Sequence, residues 1–359
     1  MLKKVCVLLF IAFTLSGCTK QNYEEVSFSS WGSVTEVQIM KNLISNFEKE
    51  NPTIKINFMH IPQNYFQKLH LLFASNTPPD VIFINNLYLP LYQKYLEDLS
   101  HIIETDKFYA QSISSMSLNG HIYAVPRDIS NLVLYVNVDI LNQVPSREWT
   151  LEDLLRLSKI VTKKGQYGLS FEPSMYLATP YIFYYGGNDI EPSNDKTIEG
   201  LNFYKKLVTD YKVAPSRSEV GSSTLAQMFL DGKICFYLSG RWLYPKISEK
   251  ANFNWVVVNF PYGEKGVPAD VSGWAISKSS KHKEASYKFV KYLASKKSSE
   301  YFAETGLIVP AEIEASKLIL KNNKHNESVF LDVVQHSTGH TVNKKYKETE
   351  DFVNKSLEL

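Results

Sequence analysis

The sequence predicts an α/β protein built as two lobes that face each other. Three observations point there. Strand-length and helix-length apolar patterns alternate from residue 26 to residue 84. A chain of 359 residues exceeds what one hydrophobic core ordinarily organises. The stretch from Gly120 to Asp139, GHIYAVPRDISNLVLYVNVD, reads as backbone leaving one lobe and entering the next. In it a short apolar run at residues 122–125 meets Pro126, which fixes φ and removes a donor and so is expected to end the strand. A polar gap follows, and then the apolar run 132–136. Such an elbow places Asp128, Ser130 and Asn131 between two lobes. Taken alone, the same stretch also reads as an ordinary hairpin loop.

The N-terminus carries a separate signal. Lys3 and Lys4 precede an apolar run over residues 5–15, too short to cross a bilayer as a helix and arranged like a secretory signal. It ends in Leu15, Ser16, Gly17 and Cys18, which resembles the lipobox of bacterial lipoproteins. The resemblance implies that the Cys18 thiol takes a diacylglyceryl group before Cys18 becomes the new N-terminus. A plain secretory signal with a chance cysteine is the alternative, and both readings export the protein. Of the three cysteines, Cys6 leaves with the signal and Cys18 carries lipid, so Cys235 has no partner for an internal disulfide. Residues 19–25 read as a polar tether.

The first lobe is expected to open with a strand from Val26 that stops at Trp31, Gly32 and Ser33. From Thr35 the apolar residues Val37, Ile39, Met40, Leu43, Ile44 and Phe47 recur at helical spacing, and Asn51 and Pro52 close that helix. Ile54, Ile56 and Phe58 alternate as a second strand, residues 65–74 form another helix, and residues 81–84 a third strand. This alternation predicts a parallel sheet covered on both faces, with ligands beyond the carboxyl ends of its strands, where Trp31 and Asn85 sit.

Past the elbow the pattern resumes. Thr150 caps a helix over residues 151–161, with Asp153 at the reciprocal position. Residues 167–171 read as a strand stopped by Glu172 and Pro173, and residues 176–185 as an aromatic-rich core helix. Helices over 198–211 and 222–230 lead to a strand at 234–238 that runs into Ser239, Gly240, Arg241 and Trp242, where an indole can reach out past the strand end. A strand at 256–260 followed by Pro261 repeats the signature of the first elbow. Residues 269–276 are expected to return the chain to the first lobe, residues 281–297 to form a basic amphipathic helix, and the tail from Ala311 to run helical and charged.

Several stretches, FEKENPTIKINF, PPDVIFIN, GHIYAVPRD, LYVNVDIL, WTLEDLLRLSKIVT, FLDGKICFYLSGRW and ETGLIVP, occur in this order along almost the whole mature chain. In that order they resemble the extracellular solute-binding proteins of sugar-type ABC importers, the class that includes maltose-binding protein. The resemblance implies the type II periplasmic-binding-protein fold, with two α/β lobes joined by a hinge of two or three crossing segments and the ligand held between them. The first lobe would comprise residues 26–128 and 273–310, the second 129–272 and 311–359. It also implies ligand contacts at Trp31, Asp80, Asn131, Glu172, Tyr176, Trp242, Gly273 and Trp274. An apolar pyranose face packs on an indole while its hydroxyl edge meets Asp, Asn, Glu or Arg. At the elbow an acid expected after the proline is replaced by Asn131, with one extra residue, which leaves the particular sugar open.

Other function classes find little footing. A net charge of +2, with Lys and Arg spread along the chain, excludes a nucleic-acid footprint. No GxSxG, HExxH, CxxC or P-loop pattern occurs. His336 and His340 lie four apart with no third metal ligand in view, so neither a metal nor a cofactor is expected. The expectation is therefore a monomeric, lipid-anchored, extracytoplasmic receptor that passes a sugar to an ABC permease. The alternatives are a receptor for another polar solute such as a glycerol phosphate, with Arg127 and Arg241 supplying charge, a surface carbohydrate-active enzyme using Asp80 and Glu172, and a lipoprotein that has lost transport.

Overall fold

A computed structural model describes residues 23–188, 191–263, 265–339 and 343–358. The signal segment with Cys18, tether residues 19–22 and His340 lie outside the described residues. In chain order the principal strands are β1 (Glu24–Ser30), β2 (Ile54–His60), β3 (Val81–Asn85), β4 (Val125–Ile129), β5 (Val133–Asn137), β6 (Tyr167–Leu169), β7 (Ile234–Ser239), β8 (Trp255–Asn259) and β9 (Val271–Ile276). They form two main sheets.

The first sheet runs β2, β1, β3, β9, β4. Its first three strands are parallel, as the alternation predicts, but β9 returns antiparallel to both β3 and β4. The sheet is therefore mixed. Pro126 does not end the strand as expected. It sits inside β4, at the end of the sheet order, where a missing donor is tolerated. The β4 and β9 ladder slips by one residue between Ser272 and Gly273, a bulge that leaves Arg127 without a Cα partner.

The helix Val34–Glu50 forms where its spacing predicts. Ser33 accepts from Glu36 N while the Glu36 carboxylate accepts from Ser33 N, which satisfies two otherwise orphaned donors. Its buried stripe of Ile39, Met40, Leu43, Ile44 and Phe47 packs on the same core as Val26, Phe28 and Trp274.

The second sheet runs β8, β5, β7, β6, with only β6 and β7 parallel. The helix Leu151–Val161 has the reciprocal Thr150 and Asp153 cap and buries Leu154 and Leu157 against this sheet's core.

The chain passes between the sheets at residues 130–132 and again at 260–270. A third passage follows Pro310, but it does not begin at Ala311 as expected. Tyr109 N donates to Ala311 O at 3.1 Å, and the Tyr109 and Ser316 hydroxyls lie 2.7 Å apart, so residues 311–316 stay on the first lobe. Only near His325, whose carbonyl accepts from Val257 N, does the tail reach the second sheet. The helix Tyr346–Leu357 then packs on the second core through Tyr346, Val353 and Leu357. Among the described residues no helix is long and apolar enough to cross a membrane.

Candidate functional site

The carboxyl ends of β1 and β3 point at the second lobe, and a cavity of about 670 Å³ lies between the two. On the first lobe its wall is Trp31, Glu36, Phe66 and Tyr88, and on the second Tyr176 and Trp242. Asp128, Ser130 and Asp270 come from the passages between sheets, and Glu350 from the C-terminal helix.

Trp31 leaves β1 at a turn made by Gly32, whose φ of +139° disfavours any side chain. The indole leans on Phe83 at 4.2 Å and Tyr65 at 4.9 Å, so it is held from behind while it borders the cavity. Trp242 is 39% exposed, and its ring centroid lies 6.4 Å from that of Tyr176. A Cβ on Gly240 would fall 1.9 Å from the Trp242 ring, so this position must be glycine for the indole to lie where it does.

Between the aromatic walls lies a floor of acidic and basic side chains. The Arg127 guanidinium stacks on Phe83 at 4.2 Å, donates through Nε to Asp128, and lies 3.6 Å from a Glu36 oxygen. Burial pushes the Asp128 carboxyl up to about 6; Arg127 opposes that shift, while Asp270 and Glu36 add to it. Asp270 accepts from the Tyr176 hydroxyl at 2.7 Å and from Asn85 Nδ2 at 2.8 Å. Burial, and then the Asp270 charge, hold the Tyr176 hydroxyl well above its ordinary value, so it stays a donor. The cavity thus offers aromatic faces at its sides and hydrogen-bonding carboxylates at its base.

The family described as bacterial extracellular solute-binding protein matches residues 31–300. This chain belongs to that family. It is 26% identical over 380 residues to the maltodextrin-binding protein MdxE of Bacillus subtilis (strain 168), covering 94% of this chain and 87% of that one. It is 27% identical over 219 residues to a maltooligosaccharide ABC transporter solute-binding lipoprotein of Streptococcus pneumoniae (strain ATCC BAA-255 / R6), covering 55% of this chain and 51% of that one. Among solved structures it superposes on an ABC substrate-binding protein of Listeria monocytogenes in complex with cycloalternan, with a TM-score of 0.84 at 24% identity over 93% of this chain and 92% of the other. The protein is maltose-binding-protein-like, with the type II periplasmic-binding-protein fold.

In this solute-binding protein Trp31, Tyr176 and Trp242 come together at the cleft, and the other expected site residues do not. Trp274 is fully buried, 4.7 Å from Phe83 and 5.7 Å from Phe28, because its strand β9 lies inside the sheet with both faces covered. Gly273 faces β4, where a Cβ would fall 2.4 Å from Val125 O; it serves close strand packing. Asp80 stands at the amino end of β3, the far end from the cleft, and accepts from Ser27 N, Ser27 Oγ and Ser280 Oγ. Glu172 borders a different cavity of about 470 Å³ on the second lobe, with Phe171, Arg217 and Tyr237. Asn131 is buried behind the floor, where its Oδ1 accepts from Asp270 N at 3.0 Å, so it positions the hinge carboxylate.

The cleft also holds residues that the sequence reading passed over. Tyr88 lies three residues beyond Asn85, so the strand-end rule reaches it. Glu36 is the capping-box residue of its helix and borders the cavity as well. Asp270 immediately precedes β9. Glu350 carries no local signal, because it arrives by tertiary folding of the tail. His336 stacks on Tyr262 at 4.9 Å, and among the described residues no group of three or more His, Cys, Asp or Glu could hold a metal ion.

Proposed function

We propose that this protein binds a sugar or oligosaccharide in the cleft between its lobes and delivers it to an ABC permease while held to the extracytoplasmic face of a membrane through lipid on Cys18. One observation carries the reading: Trp31 and Trp242, on opposite lobes, border one cavity whose base holds Glu36, Asp128 and Asp270. Aromatic faces opposed across carboxylates suit a pyranose, apolar on its faces and rich in hydroxyls at its edge. The printed functions of the relatives support the same class. Residues 26–128 with 273–310 and residues 129–272 with the tail act as the two lobes, except that residues 311–316 travel with the first. Closure is driven by ligand because only the closed form touches it from both sides.

A phosphorylated solute fits less well. Arg127 is already engaged by Glu36 and Asp128, and Arg241 is buried against Tyr244 and Phe330, away from the cavity lining. A glycosidase reading needs a carboxylate pair, and Asp80 and Glu172 sit on different lobes with no shared cavity.

The test is calorimetric titration and thermal shift of the protein lacking residues 1–18 against neutral oligosaccharides and glycerol phosphates. Saturable binding of an oligosaccharide with no product released is the expected result. Binding of the phosphates alone, or release of shorter sugars, would remove the reading. In cells, Cys18→Ala is expected to move the protein from the membrane fraction to the medium or periplasm; unchanged membrane association would remove the lipid anchor.

A further inference from the structure

We propose that the cleft prefers sugars carrying a protonated amino group, and that Asp128 and Glu36 receive the ammonium. This rests on the sugar reading above and concerns which sugar the same cavity takes.

The charged residues that border the cavity are Glu36, Arg127, Asp128, Asp270 and Glu350. Glu350 is balanced from outside the lining, because Lys347 Nζ lies 3.0 Å from its Oε2. That leaves Glu36, Asp128 and Asp270 around one guanidinium, with no lysine and no second arginine on the lining among the described residues. When these carboxylates are ionised, the base of the cleft holds an excess of negative charge. Asp128 is only 3% exposed. Burial pushes its carboxyl up to about 6 against the pull of Arg127, and the Asp270 and Glu36 charges add to the rise. A cation set beside it would offset that repulsion, whereas an anionic sugar would add to it.

Hydrogen-bonding capacity points the same way. The cleft spends several of its donors on its own carboxylates: the Tyr88 hydroxyl donates to Glu350, the Tyr176 hydroxyl and Asn85 Nδ2 to Asp270, and Arg127 Nε to Asp128. Carboxylate oxygens remain over. Asp128 gives Oδ2 to Arg127, and its Oδ1 makes no hydrogen bond among the described residues. Glu36 gives Oε2 to Ser33 N, and its Oε1 stands 3.6 Å from Arg127 Nη1, beyond hydrogen-bond range. A hydroxyl uses donor and acceptor together, whereas an ammonium carries three donors and no acceptor and so draws on carboxylate oxygens alone. The walls add to this, because the faces of Trp31 and Trp242 attract a cation that comes within about 6 Å of the ring. The same rings pack on the apolar faces of a pyranose. Rings and carboxylates together therefore suit an amino sugar better than either a bare amine or a plain sugar.

The test titrates glucose-type and galactose-type oligosaccharides by calorimetry into the protein lacking residues 1–18, at about pH 7. Each sugar is compared with the derivative bearing an amino group in place of one hydroxyl, at position 2 or 6, and with the N-acetyl form of that amine, which keeps the nitrogen without the charge. The amino form is expected to bind about tenfold more tightly than both neutral forms, and salt at about 0.5 M is expected to shrink that ratio. In Asp128→Asn and in Glu36→Gln the ratio is expected to fall toward one. Glu36→Gln keeps a capping-box side chain, so it decides the matter even where Asp128→Asn is unstable. Equal affinity for amino and neutral forms, or an advantage that survives these substitutions, would overturn the preference and leave the sugar reading standing. Failure of every form to bind would remove the sugar reading and this inference together.

Discussion

The Tyr176 hydroxyl of the second lobe donates to Asp270 Oδ2 at 2.7 Å, and the other oxygen of that carboxylate accepts from Asn85 of the first lobe at 2.8 Å. One carboxylate at a crossing segment therefore ties a helix of one lobe to the sheet of the other. Tyr176→Phe keeps the ring that neighbours Trp242 and removes only this tie, worth about 1 kcal/mol. The expected outcome is ligand affinity lowered about fivefold with a small loss of melting temperature, read by calorimetry and thermal unfolding. Tighter binding in the variant would mean that the ligand competes for Asp270.

Trp242 and Gly240 form a second testable pair. Trp242→Ala removes a ring that is already 39% exposed, so stability should fall by less than about 1 kcal/mol while oligosaccharide binding is lost. Gly240→Ala should do similar damage while residue 242 remains tryptophan, because its new methyl would fall 1.9 Å from the ring and force it aside. Titration of both variants checks this. A Gly240→Ala protein with unaltered affinity would show that the observed ring position is not the one that meets ligand.

How much of this could be read in advance depends on whether the signal was local. The Ser33 and Glu36 cap, the stripe of the helix Val34–Glu50, and the aromatics at the ends of β1 and after β7 were legible because each is fixed by residues a few positions away. Trp274 was not legible. Its neighbours Val271 to Ile276 are all buried because β9 lies between β3 and β4, and no residue in that run announces which strands will flank it. Only the family resemblance put Asp80 among the ligand contacts, and it lies at the amino end of its strand with its carboxylate occupied by Ser27 and Ser280. Glu350 reaches the cleft only after the tail has folded back across more than 200 residues of sequence separation, its hydrogen bond with Tyr88 spanning 262 positions.

Trp274 supplies the contrast to Trp242. It is fully buried among Phe28 and Phe83, so Trp274→Ala should cost about 3–5 kcal/mol through lost burial and the cavity left behind. Denaturant unfolding should show a large drop in midpoint, and whatever fraction remains folded should bind sugar with near-normal affinity. Loss of binding with full stability would instead put this indole in the ligand site.

Asp128 should make stability depend on pH in an unusual direction. Its carboxyl is buried and raised to about 6, above the ordinary value of 3.8, with Asp270 and Glu36 adding to the effect of burial and Arg127 opposing it. A group whose folded value is raised binds its proton more tightly in the native state. Its contribution is therefore fully present below the unfolded value and is lost as pH rises through about 6. Across that window of about two units the contribution amounts to about 3 kcal/mol. The variant Asp128→Asn cannot titrate, and it keeps an oxygen toward Arg127. Distant carboxylates titrate alike in both proteins, so the difference in unfolding free energy between wild type and Asp128→Asn reports on Asp128 together with its coupled neighbours Asp270 and Glu36. That difference, followed by denaturant unfolding from about pH 4 to about pH 7, should shift against the wild type as pH rises. A difference that stays flat would show that the Arg127 guanidinium fully compensates burial. One that shifts toward the wild type would show that the ion pair holds the carboxyl below its ordinary value.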